Sequence, residues 1–411
     1  MRKQKTFRSG PPRKKVFFAL HPNYIFRIIK QPARPPRTGK HGIIIKKIIH
    51  DGGTGKPPRC GGFAPPEDGS RWDLRIAIDA MGGDYAPQAV LEGVKLVLPE
   101  LSAETELLLF GDESALQKGL DAIGVCDARV SIMPTTQVIG CDEQPTLAIR
   151  KKKDSSMARA VEAVAKGEAD CVLSAGSTGA LLTGGTLIIK RLKGVKRPAL
   201  ATVLPTMDGC VLLLDCGANT DCKSDYLVQF ALMGSSYMER VLDVKSPRVG
   251  LLSNGAEEEK GNELTKETHA LLKTAPVHFT GNCEARDVLG GEFDVVVCDG
   301  FDGNVVLKGT EGTAALMMGL LKKHLTSGFI TKIGALLCKP AFRVLKKKLD
   351  YTEYGGAPLL GVNGGVIKAH GSSNAKAFRS AILQGVRLVS SDVTRLVGEQ
   401  IAAMDGEGPS V

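Results

Sequence analysis

Two stretches of the chain carry residue types suited to holding an anion. In "VIKAHGSSNAKAF", Val366 to Phe378, Lys368 and His370 stand two residues apart and precede Gly-Ser-Ser-Asn at the start of the last long helical pattern. Ser372, Ser373 or Asn374 is the expected N-cap, its side-chain oxygen accepting from a backbone N–H in the first turn. Unpaired N–H groups at a helix start favour negative charge, so a lysine and a histidine beside them suit a phosphate or an oxyanion. A cap plus a packed histidine is the plainer alternative. In "DAMGGD", Asp79 to Asp84, an apolar run ends in Gly82 and Gly83 before a helical pattern over Ala86 to Leu98. Glycine permits positive φ and lets a ligand approach the backbone; a purely structural turn has the same signature. The spacing is neither G-x-G-x-x-G nor a G-x-x-x-x-G-K-[ST] loop, so it points to neither a dinucleotide nor a nucleoside triphosphate.

These stretches need a scaffold that brings them together. Short apolar runs lie at Arg75 to Asp79, Glu106 to Gly111, Val130 to Met133, Asp170 to Ser174, Ala199 to Leu204, Val211 to Asp215, Arg248 to Ser253 and Phe293 to Asp299. Helical patterns such as Ser155 to Lys166, Cys222 to Val241, Asn262 to Lys273 and Asn374 to Ile401 lie between or after them. The alternation predicts an α/β fold, a mainly parallel sheet with flanking helices, whose ligands gather at the carboxyl ends of strands. Several such ends are rich in Gly, Ser and Asn: "SAGSTGA" from Ser174, "DCGAN" from Asp215, "LSNGAEEEKGNE" from Leu252, "TGNCEARD" from Thr280 and "CDGFDGN" from Cys298. Together they predict a polar cleft for an anionic ligand, with ordinary turns accounting for part of the pattern.

Composition narrows the classes. The 411 residues are 43% hydrophobic, enough for one large core or two lobes, and the formal charge is +10. That charge is misleading: residues 1 to 72 hold 17 basic and 3 acidic residues, net +14, whereas 73 to 411 hold 37 basic and 41 acidic, net −4. A nucleic-acid partner is therefore not expected. Residues 1 to 73, rich in Pro, Gly, Arg and Lys, have a disordered composition. They read as upstream sequence before a start at Leu74, a transit peptide, or a solvated basic arm. The folded domain is expected over 74 to 405, with 406 to 411 as a tail. Ten cysteines without C-x-x-C spacing read as reduced thiols, and no apolar run reaches spanning length.

Residues 312 to 349 hold eight Lys and Arg and no Asp or Glu. Phe329, Ile333, Leu336 and Leu337 recur among the cations, broken by Gly328 and Pro340, which reads as two or three short amphipathic helices in a hairpin that lies on an anionic bilayer. A dimerisation or core-covering hairpin is the alternative, but packing alone gives no reason for the charge bias. Arg150, Lys151, Lys152 and Lys153 form a basic run before Ser155 and Ser156, a capping pair. They read as a solvated face or, with Lys196 and Arg197, as a landing surface for an acidic protein.

In order and spacing, "RIAIDAMGGDYAP", "AIRKKKDSSMARAV", "SAGSTGALL", "DCGAN", "EEEKGNEL", "DYTEYGGAPLLG" and "VIKAHGSSNAKAF" resemble the bacterial acyl-carrier-protein:phosphate acyltransferases of phospholipid synthesis. The resemblance runs from residue 74 to near 402. It implies a fold like that of phosphotransacetylases and isocitrate/isopropylmalate dehydrogenases, a homodimer, and no metal or nicotinamide cofactor. It also implies a reaction in which a long-chain acyl group passes from the acyl carrier protein to inorganic phosphate. The acyl phosphate would serve a membrane glycerol-phosphate acyltransferase, placing the protein in the cytoplasm, peripherally on the inner face of the cell membrane. For that chemistry Lys368, His370, Ser373, Asn374 and Asn219 are expected to hold phosphate or the oxyanion, with His370 protonating the departing thiolate. Gly82, Gly83, Ser174, Gly176, Ser177, Thr178 and Asn304 would line the cleft, and the basic run with Lys196 and Arg197 would receive the carrier. Asp79 and Asp84 are expected to brace their turn, since like charges repel. Ser177 departs from the Asn common in the family, Cys283 from an apolar residue, and Asp302 from Val, the last adding a carboxylate near an anion site. A short-chain acyl-CoA phosphotransacetylase and a non-catalytic membrane-surface scaffold for lipid-synthesis enzymes are the competing readings.

Overall fold

The computed structural model describes residues 74–349 and 355–404; the expected basic extension over 1 to 73 and the tail from 406 lie outside them. Their strands form two sheets. The first runs in the order β3 (Val130–Pro134), β2 (Glu106–Gly111), β1 (Arg75–Asp79), β4 (Cys171–Ser174), β12 (Gly365–Lys368), β11 (Ala357–Leu360), β5 (Ala199–Leu200). The first five of these are parallel, and β11 is antiparallel to both neighbours. The second sheet runs β6 (Thr202–Pro205), β7 (Cys210–Leu214), β10 (Val295–Val297), β8 (Val249–Ser253), β9 (Phe279–Glu284), parallel except for β6. The α/β architecture predicted from the alternation of apolar runs is the one found.

Burial explains why the central strands read as unbroken apolar runs. Ile76, Ala77 and Ile78 of β1 and all of β10 are fully buried, because helices cover both faces of a parallel sheet. Helices α1 (Gln88–Val97) and α11 (Ala375–Ser390) pack together, while α4 (Ser156–Ala165) packs against β1, β2 and β4. Helix α6 (Ser224–Val241) packs on β7 and β10, and its Phe230 and Tyr237 join Ile76, Ile78, Leu214 and Phe378 in one core. The buried Tyr237 hydroxyl is satisfied by Gln384 Nε2 of α11 at 3.1 Å.

Three boundaries differ from expectation. The single run Ala199 to Leu204 divides at Ala201: its first part pairs with β11, its second with β7, so one extended segment serves both sheets. The expected helix Asn374 to Ile401 breaks at Asp392, where φ is +54°, into α11 and α12 (Val393–Met404). The expected hairpin over 312 to 349 comprises the end of a long helix α8 (Gly300–Leu325), then α9 (Phe329–Leu337) and α10 (Lys339–Leu349). Apolar periodicity alone does not locate the first residue of α8, because the helix starts as a capped turn at Asp299, whose side chain accepts from Asp302 N at 2.8 Å.

Close approach of α1 and α11 is a strict requirement. A Cβ on Gly93 would stand 2.5 Å from Phe378 Cβ and 3.0 Å from Ala375 O. Gly93→Val is expected to destabilise the protein by about 1–3 kcal/mol through overpacking, measured as a lower urea midpoint; an unchanged midpoint would show that these helices are free to move apart.

Candidate functional site

The strand order of the first sheet reverses beside β1. From β1 the chain moves outward through β2 to β3, then crosses to β4 on the opposite side of β1. Such a switch point opens a crevice at the carboxyl ends of the strands. Three segments meet there: Ala80 to Asp84 after β1, Ala175 to Thr178 after β4, and Ala369 to Asn374 after β12. Asp84 N donates to Gly371 O at 2.8 Å, and Ala369 N to Ser174 O at 2.9 Å. Gly82 and Gly83 are required by this convergence. A Cβ on Gly82 would stand 2.7 Å from Gly176 N and collide with Asp79 Oδ2, and Gly83 has φ +105°.

Asp79 sits beneath the turn, fully enclosed. Its Oδ1 accepts from Ser156 Oγ and its Oδ2 from Ser174 Oγ, both at 2.6 Å, while Met81 N approaches Oδ1 at 3.4 Å. Burial pushes its pKa up, and these hydrogen bonds, with the Lys368 charge, oppose the rise. Ser174 also accepts from Gly176 N at 3.0 Å. Ser156 was legible in the sequence only as half of a capping pair. The cap is Ser155, whose Oγ accepts from Ala158 N at 3.3 Å, which leaves the neighbouring hydroxyl for Asp79.

Lys368 ends β12, with its stem in the core and its ammonium in the crevice. Nζ donates to Ala175 O at 3.3 Å and to Ala369 O, leaving a third N–H for a ligand. Burial lowers its pKa to about 8, against the opposing pull of Cys141, Asp79 and Asp84. His370 is exposed. Its Nδ1 accepts from Ser372 N at 3.2 Å and lies 2.8 Å from Ser372 Oγ, so the neutral ring carries its proton on Nε2. Asn374 caps α11, its Oδ1 accepting from Ala377 N at 3.0 Å, and Ser373 is buried beside it. Ser177 Oγ accepts from Ala180 N at 3.4 Å, with Thr178 opening the short helix α5 (Thr178–Gly184).

Asn219 and Asn304 stand at a different turn. Asp215, buried at the end of β7, accepts from Leu200 N, Gly217 N, Ala218 N, Asn219 N and Asn219 Nδ2 at 2.6–3.2 Å. Asn219 Nδ2 also donates to Pro198 O at 2.8 Å, so both hydrogens of that amide are engaged in holding the turn. Asn304, on the first turn of α8, lies against Gly217. The predicted residues thus divide between the Lys368 crevice and the Asp215 turn. Of the basic run, Arg150, Lys151 and Lys153 are exposed. Lys152 Nζ donates to Glu143 Oε1, Lys196 Nζ to Asp225 Oδ2, each at 2.6 Å, and Arg197 lies over the Tyr226 ring.

A profile of the family described as "Fatty acid synthesis protein" matches residues 74–396. The "Phosphate acyltransferase" of Thermoanaerobacterium thermosaccharolyticum is 48% identical over 337 residues, 80% of this chain and 99% of that protein. The "Phosphate acyltransferase" of Bacillus pumilus is 48% identical over 329 residues, 80% and 98% of the two chains. Among solved structures, a phosphotransacetylase from Streptococcus pyogenes matches with a TM-score of 0.52 at 16% identity, covering 77% of this chain and 94% of that one, a likeness of fold.

A lysine is cationic below its pKa, so the Lys368 ammonium present at neutral pH is lost as pH rises through about 8. Inorganic phosphate binding, measured by calorimetry, is expected to weaken by up to about tenfold per pH unit above that point. Lys368→Met should weaken binding at pH 7 and flatten this dependence; an equally steep decline in the variant would place the responsible cation elsewhere.

Proposed function

We propose, on the premise that the chain belongs to the fatty acid synthesis protein family and is a phosphate acyltransferase, that it transfers a long-chain acyl group from acyl carrier protein to inorganic phosphate in the Lys368 crevice. The observation that carries this reading is the buried ammonium of Lys368 set between two glycine-bearing turns at the switch point of a parallel sheet. Its cost of burial is offset when a dianion arrives. The adjoining backbone N–H groups and the start of α11 add donors without adding charge.

The reaction asks little of a general base. Phosphate is largely dianionic near neutral pH, and a thiol of pKa roughly 8.5 leaves readily as thiolate. What the protein supplies is position and charge stabilisation. Lys368 and the Gly82–Gly83 turn hold phosphate, and Ser177, Thr178, Ser373 and Asn374 border it. The Nε2–H of His370 serves the thioester oxyanion or the departing sulfur. Asp79 braces the turn and does not meet phosphate, since its oxygens already accept from Ser156 and Ser174. Asn219, with both amide hydrogens engaged, shapes the Asp215 turn and does not donate to the substrate, and Asn304 borders that turn. Arg150, Lys151, Lys153 and Arg197 offer the carrier a cationic surface.

Among the described residues no helix is long and apolar enough to cross a membrane. In α9, however, no residue is buried, and Phe329, Leu336 and Leu337 are 80%, 67% and 77% exposed, with Ile333 at 48%. These residues, with the exposed Lys322, Lys323, Lys339 and Arg343, rest on an anionic bilayer, where an acyl phosphate has a short path to the membrane glycerol-phosphate acyltransferase. The protein acts as a homodimer at the inner face of the cell membrane.

Palmitoyl-carrier protein incubated with the full chain should release free thiol only when inorganic phosphate is present, with a hydroxylamine-trappable acyl product. Phosphate-independent release, or release from short-chain acyl-CoA alone, would overturn the assignment. Leu336→Glu with Leu337→Glu should abolish sedimentation with phosphatidylglycerol vesicles while turnover on soluble substrate stays within about twofold; retained sedimentation would remove the hairpin from membrane contact.

A further inference from the structure

The sequence groups Lys152 with a cationic surface, but the structure turns it onto the preceding loop. Its Nζ donates to Glu143 Oε1 at 2.6 Å and to Val138 O at 2.8 Å, and the same Glu143 oxygen accepts from Gly140 N at 2.6 Å. One ammonium thereby closes the loop from Val138 to Gln144 on itself. Both ends of the loop are tied to the crevice. On one side Ser156 N donates to Gln137 O at 3.1 Å, while its hydroxyl holds Asp79. On the other, Pro145 packs against α5 so closely that a Cβ on Gly179, one residue past Thr178, would stand 2.6 Å from Pro145 Cγ. Ile139, near the start of the loop, is buried in the core with Met157. Between these anchors Cys141 is exposed, and its sulfur lies within electrostatic reach of the Lys368 ammonium.

We propose that Lys152 is a positioning residue: through Glu143 and the Val138 carbonyl it holds loop 138–144 as a wall of the Lys368 crevice, so that phosphate and not water reaches the thioester carbonyl. This rests on the acyl transfer proposed above. In that transfer a phosphate oxygen bonds to the acyl carbon as the carbon–sulfur bond breaks, and the sulfur leaves with the electron pair and takes up a proton. Water in the place of phosphate, losing a proton to solvent, would give free fatty acid and the same thiol. A wall beside the lysine bears on that competition, because both nucleophiles approach the same carbon.

The test compares the full chain with Lys152→Met and Lys152→Arg. Hydroxylamine-trapped acyl phosphate and free fatty acid are counted per thiol released from palmitoyl-carrier protein, and iodoacetamide labelling is followed at the Cys141 peptide. Lys152→Met is expected to raise the phosphate KM about fivefold, to gain a free fatty-acid product that the unaltered chain does not release from the thioester, to speed Cys141 labelling, and to leave the carrier KM within about twofold. Lys152→Arg should restore most of each. A higher, salt-sensitive carrier KM with product partition and Cys141 labelling unchanged would overturn the proposal and make Lys152 a docking cation. If the unaltered chain forms no acyl phosphate, the transfer reading fails and the labelling alone decides: faster labelling in Lys152→Met supports the wall, and an unchanged rate overturns it.

Discussion

The buried carboxylate of Asp79 ties together three parts of the chain that are remote in sequence. It takes the hydroxyl of Ser174 from the next strand and that of Ser156 from the helix across the sheet, and it lies directly under the Gly82 turn. A carboxylate in such a place is costly unless hydrogen-bonded, so the donors cannot be exchanged freely. The glycine at position 82 follows from the same geometry, since any side chain there would meet the carboxylate. Turn, strand end and helix are thereby fixed relative to one another before any ligand arrives, the preorganisation that the proposed phosphate site would need.

The second sheet repeats the device. Asp215 directly follows β7 as Asp79 ends β1, and it gathers the N–H groups of Gly217, Ala218 and Asn219 together with Leu200 N from the first sheet. Because Leu200 and Cys216 exchange a further backbone hydrogen bond at 2.8 Å, the Asp215 turn is anchored to β5 as well as to its own strand. The two sheets are therefore joined at their polar edges as well as through the apolar core around α6. Opposite the first of these acids, among the described residues, stands a buried lysine. Lys368 balances Asp79 in charge while its stem is held by apolar neighbours, and burial leaves it cationic at neutral pH but close to its titration point.

The helices from the distal part of α8 to α10 obey a different rule. Large exposed apolar residues are scattered singly elsewhere, as at Tyr85 and Met207, but here they gather: Leu316, Phe329, Ile330, Leu336, Leu337 and Val344 are each more than half exposed. Lys348 Nζ donates to Met207 O and returns the end of α10 to the β6–β7 turn. Apolar surface on this scale, among cations and without acids, is left uncovered by the fold itself, which is what the proposed bilayer contact would use.

Period and punctuation in the chain were enough to determine the α/β class, the strand-end turns, the cap at the start of α11 and the charge bias of the hairpin. Each depends on residues within a few positions of one another, and local steric and hydrogen-bonding preferences act at that range. Lys368, His370 and Asn374 could be read together because they occupy nine consecutive positions with their neighbours, and the Gly82–Gly83 turn because it abuts a strand. The division of Ala199 to Leu204 between two sheets was not legible, since an apolar run has the same composition whichever sheet it joins. Nor could sequence separate Lys152 from Lys151 and Lys153: four adjacent cations look alike until α3 (Pro145–Lys151) ends and turns one of them toward Glu143. Likewise only the tertiary structure placed Ser156 on Asp79, 77 residues away, and Asn219 on Asp215 at a separate turn. Which polar groups share a site is decided by strand order and crossover. Those are set by the global burial of two sheets, and no local stretch of sequence encodes them alone.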